Sequence, residues 1–212
     1  MKKGLFITFE GAEGAGKTTQ IKMLAEYFKR KGEEVVTTRE PGGTELAEKL
    51  RGIVKYYSGA EPMCDQTEVF LFAASRAQHV QQLIRPAVDS GRIVICDRFY
   101  DSTLAYQGYA RGQDMKFLRD TVNYAVAGCI PDITFLLDIS PEAGFQRVNS
   151  RNDSQSKDDR IEKAGLEFHT KVRNGFLELA EKEPERIKVI DAALSPEEIH
   201  KQIVEIIENA VI

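Results

Sequence analysis

Ten residues near the start of the chain, Glu10-Gly11-Ala12-Glu13-Gly14-Ala15-Gly16-Lys17-Thr18-Thr19, constrain it more than any others. They fit the pattern G-x-x-x-x-G-K-[ST], with Gly11, Gly16, Lys17 and Thr18 at its fixed positions. An apolar run of strand length, Leu5-Phe6-Ile7-Thr8-Phe9, precedes them. Ile21, Leu24, Ala25 and Phe28 follow at helical spacing, and Lys29-Arg30-Lys31-Gly32 ends that helix. A glycine-rich turn between strand and helix lets backbone N–H groups face inward around a polyphosphate, at the positive end of a helix dipole. In that setting Lys17 reaches the outer phosphates and the Thr18 hydroxyl ligates magnesium. Chance produces the four fixed residues in roughly one chain in a hundred of this length, glycine being about 7% of an average protein. The flanking strand and helix make coincidence rarer still.

The rest of the chain alternates strand and helix. Glu34-Val35-Val36-Thr37-Thr38 reads as a second strand, Pro41-Gly42-Gly43 as a loop, and Thr44 as the N-cap of a helix that turns Leu46, Leu50, Ile53 and Val54 inward. Arg39-Glu40 resembles a solvated pair in composition, yet it sits at the carboxyl end of a strand, where open α/β sheets bind ligands. A helix from about Asp65 to Ile84 carries Val69, Ala73, Ala77, Val80 and Ile84 as its apolar stripe, with Glu68, Phe72 and Arg76 one turn apart on an adjacent face. Phe72 and Arg76 fit either a core edge with a solvent charge or a stacking ring beside a hydrogen-bonding guanidinium. Arg92–Asp97 is a strand ending in aspartate, the second magnesium element expected after a phosphate-binding loop. Arg98 follows, then a helix from Tyr100 to Tyr109 on which Thr103 and Gln107 are i,i+4 neighbours beside Tyr106.

Asp114 caps the next helix, Ile133–Asp138 is a fourth strand with no exposed face, and Ser140-Pro141 opens another helix. The polar stretch from Arg147 to Arg160 reads either as a solvated loop or as a lid whose arginines close on phosphates. A long helix from about Ile161 to Glu183, a fifth strand Arg186–Asp191 and a capping box at Ser195-Pro196-Glu197-Glu198 complete the chain. Without repeat or linker, residues 1–212 read as one domain, a parallel sheet covered on both faces.

A net charge of −4 argues against a surface that coats nucleic acid. No apolar run approaches a membrane span, and the stretch after Met1-Lys2-Lys3-Gly4 is too short for a signal peptide. Cys64, Cys96 and Cys129 are odd in number and scattered, so free thiols in a reducing cytoplasm are expected.

With the loop, the segments Thr38-Arg39-Glu40-Pro41-Gly42-Gly43-Thr44, Leu71-Phe72-Ala73-Ala74-Ser75-Arg76, Cys96-Asp97-Arg98-Phe99, Ser102-Thr103-Leu104-Ala105-Tyr106-Gln107-Gly108 and Asp159-Arg160-Ile161-Glu162 make the chain resemble the bacterial thymidylate kinases. These belong to the P-loop nucleoside monophosphate kinases, and the resemblance covers nearly the whole chain. It implies a three-layer P-loop NTPase fold: a five-stranded parallel sheet of order 2-3-1-4-5 flanked by helices, with a mobile lid at roughly residues 147–160. It implies a phosphotransferase of nucleotide biosynthesis that makes dTDP from dTMP with ATP and Mg2+. The expected state is a cytoplasmic homodimer without nucleic-acid or membrane partners.

The resemblance also assigns roles. Gly11, Ala12, Glu13, Gly14, Ala15, Gly16, Lys17, Thr18 and Thr19 would hold ATP together with Arg147, and Thr18 and Asp97 would hold the metal. Glu13 would accept from the sugar 3′-hydroxyl. Arg39, Arg51 and Arg98 would contact the acceptor phosphate, for which a guanidinium fork is suited. Phe72 would stack on thymine, Arg76 donate to its O4, Thr103 and Gln107 satisfy N3, and Tyr106 crowd the 2′ position. One family branch carries an arginine in the loop after the acidic residue. Here that position is Gly14, so a lid arginine is expected instead: of Arg147, Arg151 and Arg160, Arg151 is the choice, catalytic alongside Lys17, Arg98 and Glu13.

The loop alone leaves other classes open. One is a P-loop kinase with a different nucleotide or nucleoside acceptor, against which the Phe72, Arg76, Thr103 and Gln107 set argues. A second is a P-loop switch or binding protein of the GTPase kind, for whose guanine motif N-K-x-D no match is present. A third is a structural ATP-binding protein without turnover, which a coupled assay with ATP and dTMP separates.

Overall fold

The strand-length apolar runs form one parallel sheet in the computed structural model, which describes residues 4–150 and 164–211. The strands β1 (Phe6–Glu10), β2 (Val35–Arg39), β3 (Ile93–Asp97), β4 (Ile133–Asp138) and β5 (Ile187–Asp191) lie in the order β2-β3-β1-β4-β5, as the resemblance implied. Between them run α1 (Lys17–Arg30), α2 (Glu45–Tyr56), α3 (Asp65–His79), α4 (Arg85–Asp89), α5 (Tyr100–Thr103), α6 (Met115–Val126), α7 (Pro141–Ser150), α8 (Leu166–Lys182) and α9 (Pro196–Val211). The central strands β1, β3 and β4 are buried along nearly their whole length, so helices cover both sides there, while the edge strands β2 and β5 keep exposed positions such as Thr37 and Val189. On one face α1 and α9 set Leu24, Phe28, Ile199 and Ile203 against Ile7, Phe9 and Phe135. On the other, Val80, Leu104, Leu118 and Phe176 pack with Phe6, Val94 and Leu136.

β1 and β2 each begin and end one residue later than the apolar runs suggest. The shift places Glu10 and Arg39 on the carboxyl edge, and both Phe9 and Arg39 stand opposite Asp97. Caps hold as expected: Thr44 Oγ1 accepts from the Ala47 N–H, Asp114 from Phe117, and Ser195 and Glu198 bond reciprocally. Of the stretch 147–160, residues 147–150 form the end of α7. Arg151 and Arg160 lie outside the described residues, as do residues 161–163 of the expected long helix, which is described from Leu166 as α8.

Two expectations are corrected. Leu46 and Ile53 do not face inward: they are 49% and 45% exposed, while Ala47 and Val54 are fully buried. One residue is a rotation of about 100° on a helix, so choosing Ala47 and Val54 as the contact with α3 turns Leu46 and Ile53 outward. The helix predicted to stop at Ile84 also continues, through a π turn at Val80–Ile84, into α4 and past Pro86. The wider turn relieves the clash of a proline ring with the preceding carbonyl. A second π turn, Leu104–Ala110, continues α5.

Beneath the α5 side of the sheet lies a buried polar lattice. Arg186 donates to both carboxylate oxygens of Asp101 at 2.7 and 2.8 Å and to Thr134 Oγ1 at 2.7 Å, and Thr134 meets the Thr8 hydroxyl at 2.7 Å. It ties the last strand to the helix that follows Arg98. Asp101→Ala would leave a buried guanidinium short of its counter-charge, a loss of about 3–5 kcal/mol for such pairs. Glu183 still accepts from Arg186 Nε at 2.8 Å, so the lower end is expected. In urea the unfolding midpoint should fall with an unchanged slope. A change below about 1 kcal/mol would show that the lattice contributes little.

Candidate active site

The loop between β1 and α1 closes on backbone rather than on side chains. Gly11 and Gly14 have φ of 131° and 76°, a region open to glycine. A Cβ at Gly11 would lie 2.3 Å from the Leu137 carbonyl oxygen, and one at Gly14 2.3 Å from that of Gly144 on α7. A side chain of any kind at position 14 is therefore incompatible with this approach of α7. Lys17 is buried, its Nζ donating to the carbonyls of Gly11 at 3.2 Å and Ala12 at 3.0 Å. Thr18 Oγ1 lies 3.4 Å from Asp97 Oδ2, which brings the end of β3 to the first turn of α1.

From this loop a cleft of about 300 Å³ runs along the carboxyl edge of the sheet. Glu13, Gly14, Gly16, Lys17, Thr18 and Thr19 line one end. Phe72, Arg76, Thr103, Tyr106 and Gln107 line the other, with Arg39, Arg51, Asp97 and Arg98 between. Residues from six separate segments thus meet as expected. Arg147 does not join them. Its Nη1 donates to the Ala192 carbonyl at 2.8 Å, in a second hollow shared with Ala15, Gly16, Thr19, Leu194 and Pro196. Gly16 and Thr19 border both spaces, so the two meet at the loop.

Arg98 adopts a φ of +67°, a left-handed conformation costing a non-glycine residue about 1 kcal/mol or more. What holds it is Glu10, fully buried, which accepts from the N–H groups of Phe99 at 2.8 Å and Ser102 at 3.2 Å and from the Ser102 hydroxyl at 2.6 Å. The Arg98 guanidinium then donates to Ser102 Oγ at 3.2 Å and lies over the Tyr106 ring, 5.4 Å from its centroid. Arg76 is similarly fixed. Its Nε donates to Glu40 at 2.8 Å, Nη1 to Thr103 Oγ1 at 3.1 Å and Nη2 to the Phe99 carbonyl at 3.3 Å. Glu40 also meets His79 Nδ1 at 3.1 Å, and His79 Nε2 meets Thr38 Oγ1 at 2.7 Å.

Arg39-Glu40 is therefore not one surface pair: Glu40 is buried, and Arg39 bonds Glu48 with both contacts at 3.1 Å. Arg51 donates to the Pro41 carbonyl at 2.7 Å. Sequence reading assigned no role to Glu10, Glu40 or Glu68. Glu68 had a signal in its spacing from Phe72 and Arg76; Glu10 and Glu40 had only their places at strand ends.

A family model described as thymidylate kinase matches residues 9–203. The thymidylate kinase of Desulfovibrio desulfuricans is 46% identical over 199 residues, covering 92% of this chain and 91% of its own. That of Chlorobium phaeobacteroides is 47% identical over 206 residues, covering 95% and 93%. The crystal structure of thymidylate kinase from Ehrlichia chaffeensis superposes with a TM-score of 0.77 at 35% identity, over 97% of this chain and 99% of that one.

Burial pushes the Glu10 carboxyl up to about 7, helped by Asp101 and opposed by Arg98, the Ser102 hydroxyl and the Phe99 N–H. The folded chain then keeps a proton that the unfolded chain, titrating near 4.5, has released. Between those values the folded state binds more protons, so stability falls as pH rises through the window, and the whole loss is present above 7. Glu10→Gln is nearly isosteric and removes the charge. Its stability relative to the parent chain should rise by up to roughly 3 kcal/mol from pH 4 to pH 8 in urea titrations. A difference that stays flat with pH would refute the assignment.

Proposed function

The chain belongs to the thymidylate kinase family, a phosphotransferase that converts dTMP to dTDP, and on that premise we propose how its cleft divides the work. The observation that carries the reading is one continuous cleft joining the Lys17 loop and the Thr18–Asp97 pair to Phe72, Arg76, Thr103 and Gln107. ATP is the proposed donor. Its phosphates lie along Gly11 to Thr19, including Ala12 and Ala15, with Lys17 bridging transferred charge and the adenine in the hollow beside Arg147.

Thr18 and Asp97 fit Mg2+: they offer two hard oxygens from separate elements and leave the remaining positions to phosphate and water, as this ion prefers. When bound it neutralises charge on the exchanged phosphoryl group. The attacking oxygen belongs to a phosphate monoester, already ionised near neutral pH, so no general base is needed. Arg39, Arg51 and Arg98 hold that phosphate and offset repulsion between the two anions. Glu13 takes the sugar 3′-hydroxyl, and Tyr106, carrying Arg98 on its ring, crowds the 2′ side. The second cation at the transferred group is assigned to Arg151; the glycine demanded at position 14 supports a source outside the loop.

At the base, Phe72 stacks on thymine, Arg76 donates to O4, and Thr103 and Gln107 meet N3. A 4-amino group would set donor against donor at Arg76. An unpaired buried polar group costs about 1–3 kcal/mol, so kcat/KM with ATP should favour dTMP over dCMP by at least about tenfold. Equal turnover of the two in a coupled assay would remove Arg76 from the base.

A homodimer is proposed through α2, α3 and α6. Leu46 and Ile53 are about half exposed, and Phe70 packs edge-on against Phe117 with centroids 6.0 Å apart, leaving Phe70 55% exposed. Apolar side chains so grouped mark an association surface. Phe70→Glu should shift sedimentation velocity from dimer to monomer while the fold persists. A chain that sediments as a monomer before mutation would end this reading. No described helix is long and apolar enough to cross a membrane. Cys64 and Cys96 are free thiols, which supports a reducing compartment, the cytoplasm.

A further inference from the structure

Gln107 is one of the cleft's least exposed polar side chains, and its orientation is imposed from behind. We propose that Glu68, a buried carboxylate one turn from Phe72 on α3, is the positioning residue that keeps the Gln107 amide oxygen toward the base and so sets the demand for a ring N–H at position 3. The inference rests on the reading that Gln107 meets the acceptor base.

An amide can present either its oxygen or its NH2, and the two ends are nearly alike in size. Glu68 removes the choice. Its Oε1 accepts from Gln107 Nε2 at 2.7 Å and from Arg111 Nε at 3.0 Å, and its Oε2 accepts from Arg111 Nη2 at 3.1 Å. Arg111 has donors only, so both carboxylate oxygens are acceptors, and the group facing them from Gln107 must be the NH2. The Gln107 oxygen then points away from Glu68, and among the described residues none donates to it. Gln107 lines the cleft beside Arg76 and Thr103.

The backbone supports the arrangement. Gln107 sits in the π turn Leu104–Ala110, and Arg111 follows with its N–H on the Tyr106 carbonyl at 3.1 Å. The turn thus delivers both side chains to one carboxylate on the neighbouring helix. A fixed acceptor at N3 beside a fixed donor at O4 reads two adjacent edge positions of a pyrimidine. Only a base with a protonated N3 and a 4-oxo group satisfies both.

The test uses 5-bromo-dUMP, whose bromine is close to a methyl group in size and whose ring N–H ionises at lower pH than that of thymine. The kcat/KM for 5-bromo-dUMP divided by that for dTMP cancels the enzyme's own titrations. In the parent chain the ratio should fall at least about tenfold as pH rises through that ionisation, because the anion meets a fixed acceptor. In Glu68→Gln the amide is free to turn its NH2 inward, and the fall should shrink below about threefold. Glu68→Asp, still an acceptor, should keep it.

An undiminished fall in folded Glu68→Gln overturns the role of Glu68 while leaving Gln107 at the base. The absence of a fall in the parent chain overturns the base contact itself. Independently of any variant, through-hydrogen-bond coupling between Gln107 Nε2 and the Glu68 carboxylate carbon should survive dTMP binding in the full-length protein. Its loss on binding would also overturn the proposal.

Discussion

The parallel pairing of β1 with β3, with Phe9 opposite Asp97, is the constraint from which the cleft follows. It sets the exit of the phosphate-binding loop beside the exit of β3, so Thr18 and Asp97 meet although they are 79 residues apart. The same pairing lets the Glu10 carboxylate reach across to Phe99 and Ser102 and force the turn that presents Arg98. A slip of one residue would send Glu10 to the opposite face and leave those N–H groups buried and unpaired. Register at this edge is thus enforced by polar chemistry as well as by the apolar core.

Behind the cleft, three buried glutamates repeat one device. Glu10 holds the turn carrying Arg98, Glu40 holds Arg76 with His79, and Glu68 holds Gln107 with Arg111. Each is nearly or fully buried, where a lone carboxylate would be costly, and each is offset by several donors. The donors differ in kind. Around Glu10 they are largely neutral groups, with Arg98 farther off at 3.9 Å, and burial drives its carboxyl upward. Around Glu40 and Glu68 a guanidinium lies at 2.8 and 3.0 Å, the stronger charge-assisted contact.

The five strands and their parallel arrangement were legible because they rest on local signals, whereas the order of the sheet and the roles along the cleft wall came from the family resemblance. Strand-length apolar runs, the Asp97 strand end and the loop glycines carry their meaning within a few residues. The glutamates do not. Glu10 finds Ser102 at a separation of 92 residues, Glu40 finds Arg76 at 36 and Glu68 finds Arg111 at 43, so the partners that bury them lie beyond any local pattern, although Glu68 shares a helical spacing with Phe72 and Arg76. Leu46 and Ile53 failed for a related reason. Periodicity defines an apolar stripe, but which edge of it meets α3 depends on the small Ala47, and the opposite edge is left for another surface. The extension past Pro86 depended on a π turn, which side-chain pattern does not encode.

The two ends of the cleft therefore solve different problems with different physics. In the proposed reading, the phosphate end calls for positive charge, which Lys17, Arg39, Arg51 and Arg98 would supply, from the buried Lys17 to the half-exposed Arg39. At the base end, no net charge distinguishes one pyrimidine from another, so discrimination must come from donors and acceptors that cannot exchange roles. Arg76 cannot accept, and a Gln107 tied to Glu68 cannot donate toward the cleft. Changes to the carboxylates behind these two should alter which base is accepted before they alter the rate of transfer. Changes around Glu10, which shapes the Arg98 turn, should alter transfer first.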